Sequence, residues 1–171
     1  MREYIKTILI AIAIVIPVRM FIAQPFIVEG ASMEQNFHGG DYLIIDELSY
    51  QFRNPARGDV IVFRYPLNPR NFFIKRIIGL PGEEVQILDG SIFITGIPGA
   101  LQEPYLPRDL STWPNLKLRL GQDQYFVLGD NRGHSSDSRT WGVLPKDNIT
   151  GRALVRLWPI TNIGFIANAP Q

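Results

Sequence analysis

A chain of 171 residues has room for one domain and an appendage, and a formal net charge of +1 leaves no basic surface for a nucleic acid. It has no cysteine, which excludes disulfides, thiolate chemistry and cysteine-bound zinc. Its two histidines, His38 and His134, are too few and too far apart for a metal centre, so no metal site is expected.

Thirteen prolines and fifteen glycines between short β-branched runs point to a turn-rich β protein. Before it comes an uncharged apolar run over residues 7–18, preceded by Arg2 and Lys6. Taken as a helix, residues 4–23 are roughly 30 Å long at ~1.5 Å per residue, the thickness of a hydrocarbon core. Arg19 lies near the far end and can snorkel to the headgroups, and Pro17 can kink the helix. A cleaved signal peptide is the competing reading, but Phe21 fits badly with a cut after Ala23, which needs small residues. The expectation is an uncleaved transmembrane anchor over 4–23. Arg2 and Lys6 then keep residues 1–6 cytoplasmic, with the remainder on the extracytoplasmic side.

Residues 24–29 alternate as a strand and deliver Glu29-Gly30-Ala31-Ser32-Met33. Here a hydroxyl stands between small residues, and Met33 can anchor the turn on an apolar surface. Strands are predicted at 42–45, 60–65 and 72–78, separated by the turns His38-Gly39-Gly40-Asp41 and Arg53–Asp59 and by the loop of Pro66 and Pro69. Val85–Leu88 and Ser91–Thr95 flank Asp89-Gly90, a two-residue hairpin signal. Residues 99–115 read as a long loop, 124–128 as a strand and 151–158 as a closing strand. Residues 129–139, Gly-Asp-Asn-Arg-Gly-His-Ser-Ser-Asp-Ser-Arg, normally make a solvated loop. If ordered, their backbone must be satisfied by side-chain bonds. The tail from Pro159 is apolar in part and fits a membrane surface.

A serine hydroxyl is a weak nucleophile and needs a base beside it. His38 or His134 would complete a histidine triad, but neither sits in a specific motif. Lys75 stands out because it lies in a strand of Phe and Ile and shares a face with Phe73 and Ile77. Burial there would lower its pKa, and a fall from ~10.4 to about 8 costs roughly 3 kcal/mol at ~1.36 per unit. The plainer alternative puts Lys75 on an exposed edge with its ammonium in water. Arg76 points to the opposite face and reads as structural or surface.

Ser32-Met33, then Gly58–Arg64, then Phe73–Gly82 with Lys75, then Gly129–Arg139 follow the apolar run in that order. Together they resemble the type I signal peptidases (leader peptidases), Ser-Lys membrane proteases, here of a compact bacterial or organellar type. The likeness runs from the anchor to about Trp158. It implies a mainly β fold: an antiparallel catalytic core of 24–80 and 124–171 with a small β insertion at 81–123, tethered by one helix. It implies Ser32 as nucleophile and Lys75 as general base, with Ser135 orienting the lysine and Asp137 paired with Arg139. Gly30 stands where many relatives carry a hydroxyl donor for the oxyanion hole. Gln35 replaces a common proline, and Gly133-His134 a common Asp-Asn. Phe26, Val28, Phe37 and Ile74 would wall pockets for small side chains one and three residues before the cut.

The resemblance further implies signal peptides of exported preproteins as substrates, membrane lipids and the secretion translocon as partners, and a single-pass enzyme of a cell or thylakoid-type membrane. No metal or organic cofactor is required. A self-cleaving repressor-type Ser-Lys protease would carry a DNA-binding domain where this chain has its apolar run. A membrane-anchored module that binds exported chains without cutting them is the rival from another class.

Overall fold

A computed structural model of the chain describes residues 4–11 and 24–166. Residues 4–11 are helical (α1) and solvent-exposed. No helix among the described residues is long and apolar enough to cross a membrane, and the greater part of the expected anchor over 4–23 lies outside them.

The rest is antiparallel β. Strands β1 (Gln24–Ile27), β2 (Tyr42–Asp46), β3 (Val60–Tyr65) and β4 (Asn68–Gly79) open the main sheet. Next come β5 (Glu84–Leu88), β6 (Ser91–Ile94) and β7 (Leu116–Arg119), which form a separate three-stranded sheet in the order β6-β5-β7. The chain returns with β8 (Gln124–Leu128), a short helix α2 (Ser138–Trp141), β9 (Leu144–Pro145), β10 (Ile149–Trp158) and β11 (Gly164–Phe165). The main sheet runs β1-β2-β10-β3-β4-β8-β9, with β11 beside β10.

Local signals explain most of this. Asp89 and Gly90 have φ of 48° and 83°, the left-handed pair that lets a two-residue turn join β5 to β6 with Leu88 opposite Ser91. The short elements α2, β9 and β11 were not expected, and two longer strands also differ from expectation. Strand β4 begins at Asn68 rather than at Phe72. Tyr65 pairs with Asn68 and Arg64 with Phe72, so residues 69–71 bulge out and Pro69 needs no ladder hydrogen bond. Strand β7 was not expected at all. It lacks β-branched residues and exists because β5 offers it an edge, with Glu84 opposite Arg119 and a Lys117–Glu84 ion pair at 3.0 Å.

Alternation along β4 distributes its side chains over separate clusters. Ile74 joins Val28, Met33, Phe37 and Leu43 on one face. Ile77 joins Ile61, Phe63 and Tyr125 on the other. Ile78 packs with Val85, Ile87 and Phe126, which seat the three-stranded sheet on the main one. Lys75 and Arg76 are therefore embedded where three apolar clusters meet, at 4% and 3% exposure.

Candidate active site

Strand β1 ends at Ile27, and Val28 exchanges backbone bonds with Asp41 and Gly40. The chain then coils through one tight turn, in which Glu34 N–H donates to Ala31 O and Phe37 N–H to Met33 O. Met33 is wholly buried and holds this turn to the core. Gly30, at φ 78°, makes the bend before it. Ser32 sits half-buried on the turn, and its N–H makes no hydrogen bond among the described residues.

Lys75 Nζ lies 2.7 Å from Ser32 Oγ, bridging positions 43 apart in the chain. The same nitrogen donates to Ile74 O at 2.9 Å and stands 5.3 Å from the Phe73 ring. Burial holds its pKa down, to about 8, against the upward pull of Asp137 and Asp130. Those two carboxylates pull weakly because each is already neutralised. Asp130 takes both Nε and Nη2 of Arg76, at 2.9 and 2.6 Å. Asp137 takes Nε and Nη2 of Arg139, at 2.8 and 2.7 Å. Burial works against ionisation of Asp137, yet the Arg139 fork and the Gly129 N–H keep its pKa below the usual carboxylate range. With both acids engaged, desolvation of the ammonium dominates, and a neutral amine becomes accessible beside the hydroxyl.

The other residues singled out from sequence fall around this pair. Ser135 is close, but its Oγ is buried beside Asp137 and does not bond Lys75, whose nitrogen is engaged by Ser32 and Ile74. Val28, Phe37 and Ile74 are buried in one cluster beneath the turn. Phe26 packs on that cluster half-exposed, its ring edge-on to Phe72 at 6.5 Å. His38 and His134 are exposed and bond neither Ser32 nor Lys75. Gln35 has φ of 87°, a backbone that proline, held near −65°, cannot adopt. Gly133 and His134 face solvent.

Sequence reasoning passed over the residues that clamp the turn. Asn131 N–H donates to Ser32 O and its Nδ2 to Ala31 O, both at 3.0 Å. Asp130 N–H reaches Met33 Sδ at 3.4 Å, and Asn36 Nδ2 donates to Asp130 Oδ2 at 2.8 Å. Gly129 is a true contact glycine, since a Cβ there would stand 2.4 Å from Ser32 O and 2.2 Å from Ser135 Oγ. One signal was available. Arg76, a cation in an apolar strand, demands a carboxylate, and the polar run after β8 supplies it.

A cation and a hydroxyl in contact on a mainly β frame are shared by more than one hydrolase. The decisive observation is that the profile described as "Signal peptidase, peptidase S26" matches residues 1–158. The chain belongs to the signal peptidase family, peptidase S26. It is 39% identical over 170 residues to "Probable signal peptidase I-2" of Synechocystis sp., covering 95% of this chain and 76% of that one. It is 40% identical over 181 residues to "Signal peptidase I" of Leptolyngbya laminosa, covering 100% and 86%. The crystal structure of a signal peptidase I from Enterococcus faecalis is similar at TM-score 0.51 and 32% identity, over 58% of this chain and 97% of the other. The chain is thus a serine endopeptidase of the signal peptidase I family, and its antiparallel sheet core is that family's fold.

Proposed function

We propose that this signal peptidase uses Ser32 as nucleophile and Lys75 as general base to remove N-terminal signal peptides, cutting after small residues. The carrying observation is the 2.7 Å contact between Ser32 Oγ and a buried lysine whose pKa is lowered to about 8. Neutral Lys75 takes the hydroxyl proton as Ser32 Oγ bonds to the scissile carbonyl carbon. The oxyanion meets the free N–H of Ser32, while Gly30 brings no side-chain donor. The C–N bond then breaks as the Lys75 ammonium protonates the leaving amine. Water attacks the Ser32 ester as Lys75 takes its proton, Lys75 returns that proton to Ser32 Oγ as the ester C–O bond breaks, and the signal peptide leaves as a carboxylate after giving its acid proton to solvent.

The sheet supports binding of an extended substrate. Among the described residues strand β1 pairs only with β2, and β4 pairs with β8 only from Arg76 onward. Two free edges therefore flank the site, close enough for the rings of Phe26 and Phe72 to touch. A preprotein segment added as a strand beside β1 would carry its scissile bond toward Ser32. Phe26, Val28, Phe37 and Ile74 would limit the side chains accepted there, and residues 81–123 would form an insertion in the catalytic core. A membrane-surface setting has its own support. Ile27, Tyr42 and Trp158 are exposed in one register row across β1, β2 and β10, with Leu157, Ile160 and Phe165 exposed nearby. The catalytic domain would work extracytoplasmically on a lipid surface beside the translocon, with the N-terminus cytoplasmic.

The test is cleavage of a preprotein with an Ala-x-Ala site by the full chain in detergent and lipid, from pH 7 to 10. Cutting after the second Ala is expected, rising through pH 8 as Lys75 loses its proton, and absent in Ser32→Ala and Lys75→Ala. Undiminished cutting by either variant would sink the dyad.

A further inference from the structure

The loop between β6 and β7 grips the catalytic turn through a buried ion pair that the chemistry above does not use. Arg132 is 4% exposed. Its Nη1 donates to Glu103 Oε2 at 2.9 Å and to Thr112 Oγ1, and its Nη2 donates to Glu103 Oε1. Its Nε donates to Gly129 O at 3.1 Å. Across the same residue, Gly129 N–H donates to Asp137 Oδ2 at 3.0 Å. The peptides on both sides of Gly129 are thereby oriented, at a place so close to the turn that a Cβ would stand 2.4 Å from Ser32 O. Two residues further on, Asn131 clamps Ser32 and Ala31.

A second path leads to the same turn. Tyr105 donates its hydroxyl to Glu103 Oε1, and its ring lies 3.9 Å from the Arg76 guanidinium. Its carbonyl accepts from Asn36 Nδ2 at 3.1 Å, the amide that also bonds Asp130.

A buried arginine–carboxylate fork adds little net stability over an apolar pair of similar volume, because desolvation cancels most of the attraction. What it supplies is direction: two parallel bonds fix a guanidinium plane. We propose that Glu103 is a positioning residue for the Ser32–Lys75 pair, acting through Arg132 to hold Gly129 and Asn131 against the nucleophile turn. This rests on the dyad reading above. It makes the β6–β7 loop part of the apparatus that aligns the hydroxyl.

The test replaces both partners together, Glu103→Leu with Arg132→Met, in the full chain, so that no charge is left buried alone. Thermal stability should stay near that of the parent. The kcat for preprotein cleavage should fall about tenfold or more with KM unchanged, as expected when a reacting group is held loosely. Hydrogen exchange at the Asn131 amide should quicken more than at the β10 amides. Glu103→Asp, which keeps the charge, should recover part of the rate. A double variant that folds with unchanged kcat and unchanged Asn131 exchange overturns this inference alone, provided Ser32→Ala is inactive. A loss of stability with normal kcat in the folded fraction also overturns it. Cleavage that survives Ser32→Ala overturns the dyad, and the positioning claim with it.

Discussion

Residues 99–115 and 129–139 resemble each other in sequence. Each follows an apolar strand, and each is rich in proline, glycine or polar side chains. In the fold they diverge. Gln102, Pro107, Arg108 and Asp109 face solvent, whereas Asp130, Asp137 and Ser138 are at most 2% exposed. Composition does not separate the two; the supply of partners does. The second segment lies beside Arg76 and carries its own Arg139, so its carboxylates enter the interior as forked ion pairs. The first segment holds few such pairs and lies outside, touching the second chiefly through Glu103, Thr112 and the Trp113 carbonyl.

Removing a partner from the buried segment should break this contrast most severely. Arg76→Met strands Asp130 without its guanidinium, and a loss of about 3–5 kcal/mol is expected in urea unfolding. Lys75 should behave in the opposite sense, because its burial opposes the charged form. Lys75→Met should abolish cleavage yet stabilise the fold by about 2–3 kcal/mol at pH 7, given ~1.36 kcal/mol per pH unit. Between pH 8 and 10.5 the unfolded chain holds a proton that the folded lysine has lost, so the parent gains stability as pH rises. The advantage of the variant should therefore shrink over that window, and equal unfolding midpoints of parent and variant at pH 7 would contradict the assignment.

Smaller changes sharpen the comparison. Gly129→Ala pushes a methyl into Ser32 O and Ser135, and should cost about 1–3 kcal/mol with a fall in kcat. Arg108→Ala, in the exposed segment, should shift stability by no more than ~0.5 kcal/mol and leave kcat unchanged. A larger effect from Arg108 than from Gly129 would mean that the two segments had been assigned the wrong way round.

Much of the fold is written locally. Strands β2, β3, β8 and β10 follow from runs of β-branched and aromatic residues between glycine and proline turns, and Asp89-Gly90 specifies its hairpin through the backbone angles it tolerates. The two central side chains were legible for another reason: each is locally out of place. Ser32 is a hydroxyl in a turn too small to bury it, and Lys75 is a charge among Phe and Ile. Strand β7 was not legible, since its pairing with β5 comes from a neighbour and not from its own residues. The clamp of Gly129, Asn131 and Arg132 was hidden too, because a bond-rich run looks the same whether water or protein supplies the partners.

The sequence by itself determined the antiparallel strands, the tight turn carrying Ser32, the anomaly at Lys75 and the order of blocks that marks the family. Those depend on periodicity, backbone freedom and residue chemistry over a few neighbours. Only the tertiary structure decided that Ser32 Oγ and Lys75 Nζ stand 2.7 Å apart, that arginines neutralise both nearby carboxylates, and that a distant loop reaches the turn through Glu103. Apart from the local Asp137–Arg139 pair, each of these joins residues remote in sequence, and the burial that sets the lysine's proton affinity exists only when the sheets close around it.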